Sequence, residues 1–354
     1  MVALPIALPV PFFNFFTRNL SDMMRIALFG AGHLGKIHLK CIQATTCWEL
    51  AGFFEPNDAN AESVISQYGA RRFTSLEKLL QEVDAVDIVT PTPTHFKLAA
   101  RAMSLGKHVF IEKPVTQTVA ESNKLLQLAE KHGVTVQVGH VERFNPAFTA
   151  LHGMPLNPMF IEGHRLAAFQ PRGTDVSVIL DLMIHDLDLI LHLIKAPVTK
   201  VSASGVAVLS HTPDIANARI EFANGAVANL TSSRISLKQM RKMRIFQPDH
   251  YLSLDFLDKN AQIVRLFEQN APNLPPQDQL MEFDTNKGKK WLQLQMPETE
   301  PVNAIQRELE TFYEAITQQT PPVVTLHDGA EALKLAHRIL KEISKAEKQY
   351  LKRQ

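Results

Sequence analysis

The sequence is poor in cysteine, with only Cys41 and Cys47 among 354 residues. Their spacing fits no common zinc motif, so both are expected as reduced, buried thiols of a cytoplasmic protein. Net charge is nearly absent: 37 Lys and Arg against 36 Asp and Glu leave +1. That balance gives no electrostatic basis for a nucleic-acid partner, whose phosphates need clustered cations. A small anionic ligand in a local pocket stays compatible with it. No apolar run is long enough to span a bilayer, and no membrane partner is expected. The nearest approach, residues 1–20, is broken by Pro5, Pro9 and Pro11. Its first basic residue is Arg18, so it lacks the basic start of a secretory signal. Met24 directly precedes the first expected strand, and residues 1–23 read as an extension or a mis-assigned start. Internal repeats are missing too.

What is present is enough chain for two domains. Residues 24–141 alternate apolar runs with helical patterns: strands at 25–29, 49–54, 85–89, 108–111 and 134–138, helices at 34–44, 58–68, 94–105 and 118–131. Asp58 reads as a helix cap and Gly133 as a helix end. Such alternation predicts an α/β, doubly wound parallel sheet covered on both faces. Residues 142–328 change character. Strands are expected at 159–166, 198–209, 215–222, 226–232, 243–246, 251–256 and 262–266, with a hairpin turn at Asn224-Gly225. One helix, 176–194, interrupts them, and the second domain reads as α+β with a large, open, mainly antiparallel sheet. Residues 270–300, rich in Pro, Asn and Gln, read as a surface loop. Helices follow at 304–318 and, within the closing segment 329–354, at 329–348.

The motif Gly30-Ala31-Gly32-His33-Leu34-Gly35 follows a strand and opens a helix. Gly30 permits the tight turn, Gly32 lets backbone approach a pyrophosphate, and Gly35 allows close helix–strand packing. The helix N-terminus faces the phosphates, with His33 and Leu34 beside them. Glu55 stands where an acidic residue should receive the adenosine ribose and repel a 2′-phosphate, which favours NAD over NADP. Thr90, Pro91, Thr92 and His95 lie at the next strand end, where the hydroxyls can meet the nicotinamide ribose; His95 alone reads more as a packing residue than a catalyst. Glu112-Lys113-Pro114 delivers a lysine to the same edge, able to stabilise an alkoxide or carry a proton. Asp181 and His185, at four-residue spacing on an apolar helix, are expected to share a face, the carboxylate orienting an imidazole base. The stripe they form with Asp188 and His192 has no cysteine or HExxH partner, so no metal is expected.

Together these residues resemble the Gfo/Idh/MocA oxidoreductase family, anchored by the glycine loop, Glu112-Lys113-Pro114 and the Asp181/His185 helix. The resemblance implies a Rossmann domain, a sheet domain that mediates dimers or tetramers, and catalysis by Lys113, Asp181 and His185. Met183 departs from the glycine many members carry two residues after the aspartate. Residues 138–146 and 171–186 further resemble a bacterial subgroup that oxidises the 3-hydroxyl of UDP-N-acetylglucosamine. That likeness implies Arg143, Asn145, Arg165 and Arg172 as substrate residues, the arginines facing a diphosphate. Two other readings share the fold: a non-catalytic dinucleotide- or sugar-binding regulator, and a biliverdin reductase-like or dihydrodiol dehydrogenase-like reductase.

Overall fold

The computed structural model describes residues 23–169, 176–286 and 288–352. The expectations for residues 1–22 and for Arg172 lie outside them. Six strands, β1 (Met24–Phe29), β2 (Trp48–Phe54), β3 (Arg72–Phe73), β4 (Ala85–Ile88), β5 (His108–Glu112) and β6 (Val136–Gly139), form one sheet in the order β3-β2-β1-β4-β5-β6. All its pairings are parallel. Burial on both faces explains the apolar runs Ile26–Phe29 of β1 and Val109–Ile111 of β5. Helices α1 (His33–Ala44) and α2 (Asp58–Tyr68) cover one face. On the other lie α3 (Leu76–Gln81), α4 (Thr92–Ser104) and α5 (Val119–His132). Gly133 ends α5 in the left-handed region, as its position implies. Asp58 is not the cap of α2: Asn57 is, its Oδ1 accepting the Asn60 N–H at 2.9 Å. Asp58 instead pairs with Arg72. The short β3, α3 and α6 (Pro146–Thr149) span too few residues for a periodic signal.

The second sheet contains β7 (Phe160–Leu166), β8 (Val198–Val206), β9 (Ile215–Phe222), β10 (Val227–Ser233), β11 (Met240–Phe246), β12 (His250–Asp255), β13 (Asn260–Glu268), β14 (Met281–Thr285) and β15 (Gly288–Gln295). Their order is β14-β15-β13-β12-β11-β7-β10-β9-β8. Only β7 and β10 run parallel. Gly225, at φ 85°, makes the tight turn between β9 and β10. The expected surface loop over 270–300 is overturned by β14 and β15, a hairpin on the sheet edge. Met281-Glu282-Phe283-Asp284 does alternate apolar and polar, but the Pro, Asn and Gln around it give the segment the composition of a loop, and these four residues stay exposed.

The inner face of this sheet packs Ile161, Leu230 and Ile245 against Leu187 and Ile190 of α7 (Ile184–Leu193) and Ile339 of α9 (Leu326–Leu351). Its outer face is left open, and carries a row of rings: Phe160 to Phe246 at 5.8 Å and Phe246 to Tyr251 at 5.0 Å. Helix α8 (Ala304–Gln318) returns to the first sheet, where Phe312 stacks on Trp48 at 5.6 Å. The Trp48 indole N–H donates to the Leu309 carbonyl at 2.8 Å. Helix α9 packs on α5 and β6 as well as on α7 and β8, so it ties the two sheets together.

Candidate active site

The carboxyl edge of the parallel sheet collects the dinucleotide features. Gly30 has φ 94°, and a Cβ there would sit 2.9 Å from the Val89 carbonyl oxygen. A Cβ on Gly35 would collide with the Gly30 carbonyl, so this glycine makes room for the loop rather than for a strand. Gly32 caps α1 without any side-chain acceptor, and a Cβ there meets nothing within 4 Å. A helix start without a side-chain cap and with clear space at Gly32 is what a pyrophosphate needs. Glu55 accepts the Ala31 N–H at 2.8 Å and the Asn57 N–H at 2.9 Å, which fixes its carboxylate beside the loop. Arg72 approaches the same corner, but one of its guanidinium nitrogens serves both the Glu55 carbonyl and Asp58. The residues present fit a dinucleotide.

The next two loops brace each other. Thr90 accepts a hydrogen bond from the Thr94 hydroxyl at 2.7 Å. Pro91 and Thr92 open α4. His95 is buried, its ring nitrogens 2.7 Å from the Thr90 carbonyl and 3.0 Å from the Pro114 carbonyl. It therefore ties the loops instead of meeting a cofactor. Glu112 also turns inward, and its Oε2 accepts the Lys113 backbone N–H at 3.0 Å. With 7% exposure, Glu112 is not open to a cofactor either.

Lys113 reaches across to the second unit. Its ammonium donates to the Asp181 carbonyl at 2.7 Å and lies 3.3 Å from Asp181 Oδ1. The expected pairing of Asp181 with His185 is corrected here. Residues Ile179–Met183 form a wide π-turn, in which the Ile184 N–H reaches the carbonyl of Ile179 five residues back. The four-residue offset that stacks side chains on an α-helix does not hold there, and Asp181 swings to Lys113. His185 is half-buried, with Nδ1 inside and without a hydrogen-bond partner. Burial, then the positive charges of Lys113 and Arg165, hold its imidazole well below the ordinary histidine range. A neutral ring is thus available to accept a proton.

The three expected substrate residues in the described chain are committed elsewhere. Arg143 grips Asp188 of α7 through Nε and Nη2 at 2.6 and 2.8 Å and also contacts His192. Arg165 binds Asp186 and, at 2.6 Å, Glu142. Both guanidinium groups are buried. Asn145 spends its amide on Glu142 and the Phe256 carbonyl, and its Oδ1 on the Ala147 N–H. Buried carboxylates on α7 demanded these partners, and sequence spacing does not reveal them. Two residues went unread. His140 is buried, with both ring nitrogens unpartnered and its ring edge-on to His185 at 6.3 Å. Arg241 on β11 lies opposite Arg165 in the sheet, and its half-exposed guanidinium stands 4.0 Å from Glu142.

Residues 24–140 match the family model "Oxidoreductase family, NAD-binding Rossmann fold", and residues 151–247 match "GFO/IDH/MocA C-terminal domain". The chain belongs to the Gfo/Idh/MocA oxidoreductase family. As a member it is a nicotinamide-dependent oxidoreductase. UDP-N-acetylglucosamine 3-dehydrogenase of Acidithiobacillus ferrooxidans is 42% identical over 71% of this chain and 80% of its own length. A solved structure of that enzyme has a TM-score of 0.81 at 36% identity, covering 91% of this chain and 97% of that one. The scyllo-inositol 2-dehydrogenase (NAD(+)) of Bacillus subtilis is 30% identical over 61% of this chain and 69% of its own. Among the described residues of this Gfo/Idh/MocA member, no helix is long and apolar enough to cross a membrane.

Proposed function

We propose that this enzyme oxidises the 3-hydroxyl of UDP-N-acetylglucosamine in the cytoplasm, with NAD as hydride acceptor. The reading rests on one observation above the others: a lysine ammonium and a neutral histidine converge at the carboxyl edge, in a chain 42% identical to a dehydrogenase of that name. Residues 24–141 hold the coenzyme, and residues 142–328 hold the substrate. Held by the glycine loop and Glu55, NAD would supply the acceptor for the hydride of the carbinol carbon. His185 takes the hydroxyl proton, and Lys113, steadied by Asp181, stabilises the negative charge growing on the oxygen. With Arg143 and Arg165 engaged in buried pairs, Arg241 becomes the arginine for the substrate diphosphate.

NAD is favoured because Glu55 presents a fixed carboxylate and Arg72 is engaged by Asp58 and the Glu55 carbonyl. Purified enzyme given UDP-N-acetylglucosamine should reduce NAD at least about tenfold faster than NADP, the effect of about 1.4 kcal/mol of selectivity. Reduced-nicotinamide absorbance reads this out. Tight NAD binding without turnover on any sugar would instead support a regulator.

The open outer face is proposed as the contact between copies, giving a homodimer or homotetramer. Its row of Phe160, Phe246 and Tyr251 is the apolar surface a second copy would cover. Phe246→Asp should then lower the mass measured by light scattering. A monomer before mutation would exclude the proposal.

A further inference from the structure

Beneath the carboxyl edge, between the parallel sheet and helices α1 and α8, lies a cluster of ionisable groups that the reaction does not touch. His38 of α1 is fully buried, with Nδ1 2.9 Å from Asp87 Oδ2 on β4. Its Nε2 lies 3.3 Å from Glu112 Oε1 at the end of β5. Glu308 of α8 enters from above, fully buried, with neither carboxyl oxygen partnered. Ligating atoms of His38, Glu112 and Glu308 all lie within 4.8 Å of one another. Gln137 anchors α8 over the cluster by donating to the Glu308 backbone carbonyl at 2.5 Å. Gly139 leaves the space that Glu112 uses: a Cβ there would lie 2.6 Å from Glu112 Oε1.

Three carboxyls and one imidazole in a dry site cannot all be charged anions beside a neutral ring. Burial opposes charge on His38, but Asp87 and then Glu112 together outweigh it and raise the imidazole well above its ordinary range. Burial, then the nearby Glu112 carboxylate, pushes Glu308 well up, so it keeps its proton. Burial opposes charge on Glu112 too, yet His38 and then Lys113 hold its carboxyl below the usual range. The resulting state is a protonated imidazole between the Asp87 carboxyl, which burial raises and His38 opposes, and the Glu112 carboxylate, with a neutral acid above.

That state has one outlet toward the chemistry, because the other oxygen of Glu112 accepts the backbone N–H of Lys113. We infer that His38 is a positioning residue for Lys113: bridging Asp87 and Glu112, it fixes the carboxylate that holds the lysine's backbone. The inference rests on the role given to Lys113 above. A misplacement near 1 Å at the reacting group is enough to cost about 100-fold in rate.

The test is a double-mutant cycle on the full chain with NAD and UDP-N-acetylglucosamine. His38→Leu should lower kcat about 10- to 100-fold while leaving KM for NAD within about threefold. If His38 acts through Glu112, adding His38→Leu to Glu112→Gln should cause little further loss. Additive losses, an unchanged kcat, or equal losses in kcat and NAD affinity would overturn the inference. So would one divalent cation per chain in the purified enzyme, since the cation would then organise the cluster. Should His38→Leu fail to fold, Asp87→Asn keeps the shape and repeats the cycle with Glu112→Gln. Lys113→Ala is measured alongside. Near-normal turnover there defeats the role of Lys113 itself, whereas an inactive Lys113→Ala with additive His38 and Glu112 losses defeats the positioning alone.

Discussion

Replacing Lys113 or His185 by alanine should each lower kcat by about 10²- to 10⁴-fold, the usual worth of a placed acid, base or charge. Equilibrium binding of NAD, followed by fluorescence, should change little, because the glycine loop and Glu55 lie on other elements. Near-normal rates in both variants would sink the mechanism. The corrected geometry adds a sharper expectation for Asp181→Asn. Since Asp181 contacts Lys113 and not His185, its effect should vanish in a Lys113→Ala background and persist in a His185→Ala background. The reverse pattern would restore the carboxylate-imidazole pair that spacing alone suggests. The pH profile carries the same logic. A base held well below its ordinary range stays neutral through pH 7, so His185 should cause no loss of kcat/KM as pH falls to about 6.5.

Arg165→Met should cost about 3–5 kcal/mol of folding stability, read from urea denaturation. The substitution leaves the Asp186 and Glu142 carboxylates buried with their principal cation gone. Removing one partner of a buried ion network is far more damaging than removing the whole network. A stable Arg165→Met protein with a much higher KM for the nucleotide sugar would return this arginine to the substrate site. A loss below about 1 kcal/mol, within the range of ordinary surface changes, would show that Arg241 takes over the pairing.

Local signals account for what sequence made visible. The glycine loop, Glu55, Lys113 and the alternation of strands and helices each depend on residues within one βα unit, where pattern and chemistry coincide. Long-range pairing was hidden. Arg165 lies 21 residues from Asp186 and Arg143 lies 45 from Asp188, and charge alone shows no partner at such distances. His38 and Glu308 sit singly on amphipathic helices, where an isolated polar residue looks like any other until the fold brings α1 and α8 together. The β14–β15 hairpin escaped for another reason: Met281-Glu282-Phe283-Asp284 and Leu292-Gln293-Leu294-Gln295 alternate, but they lie in a stretch whose Pro, Asn and Gln read as a loop.

The π-turn at Ile179–Met183 has a further consequence. One surplus residue shifts the phase of everything upstream against everything downstream, as an insertion in a reading frame would. Lys113 meets Asp181 because of that offset, while His185 obeys the regular helix that follows. The site is therefore specified partly by a count of residues. Point substitutions leave that count untouched; deleting a single residue from this turn would erase it, with every catalytic side chain still in the sequence.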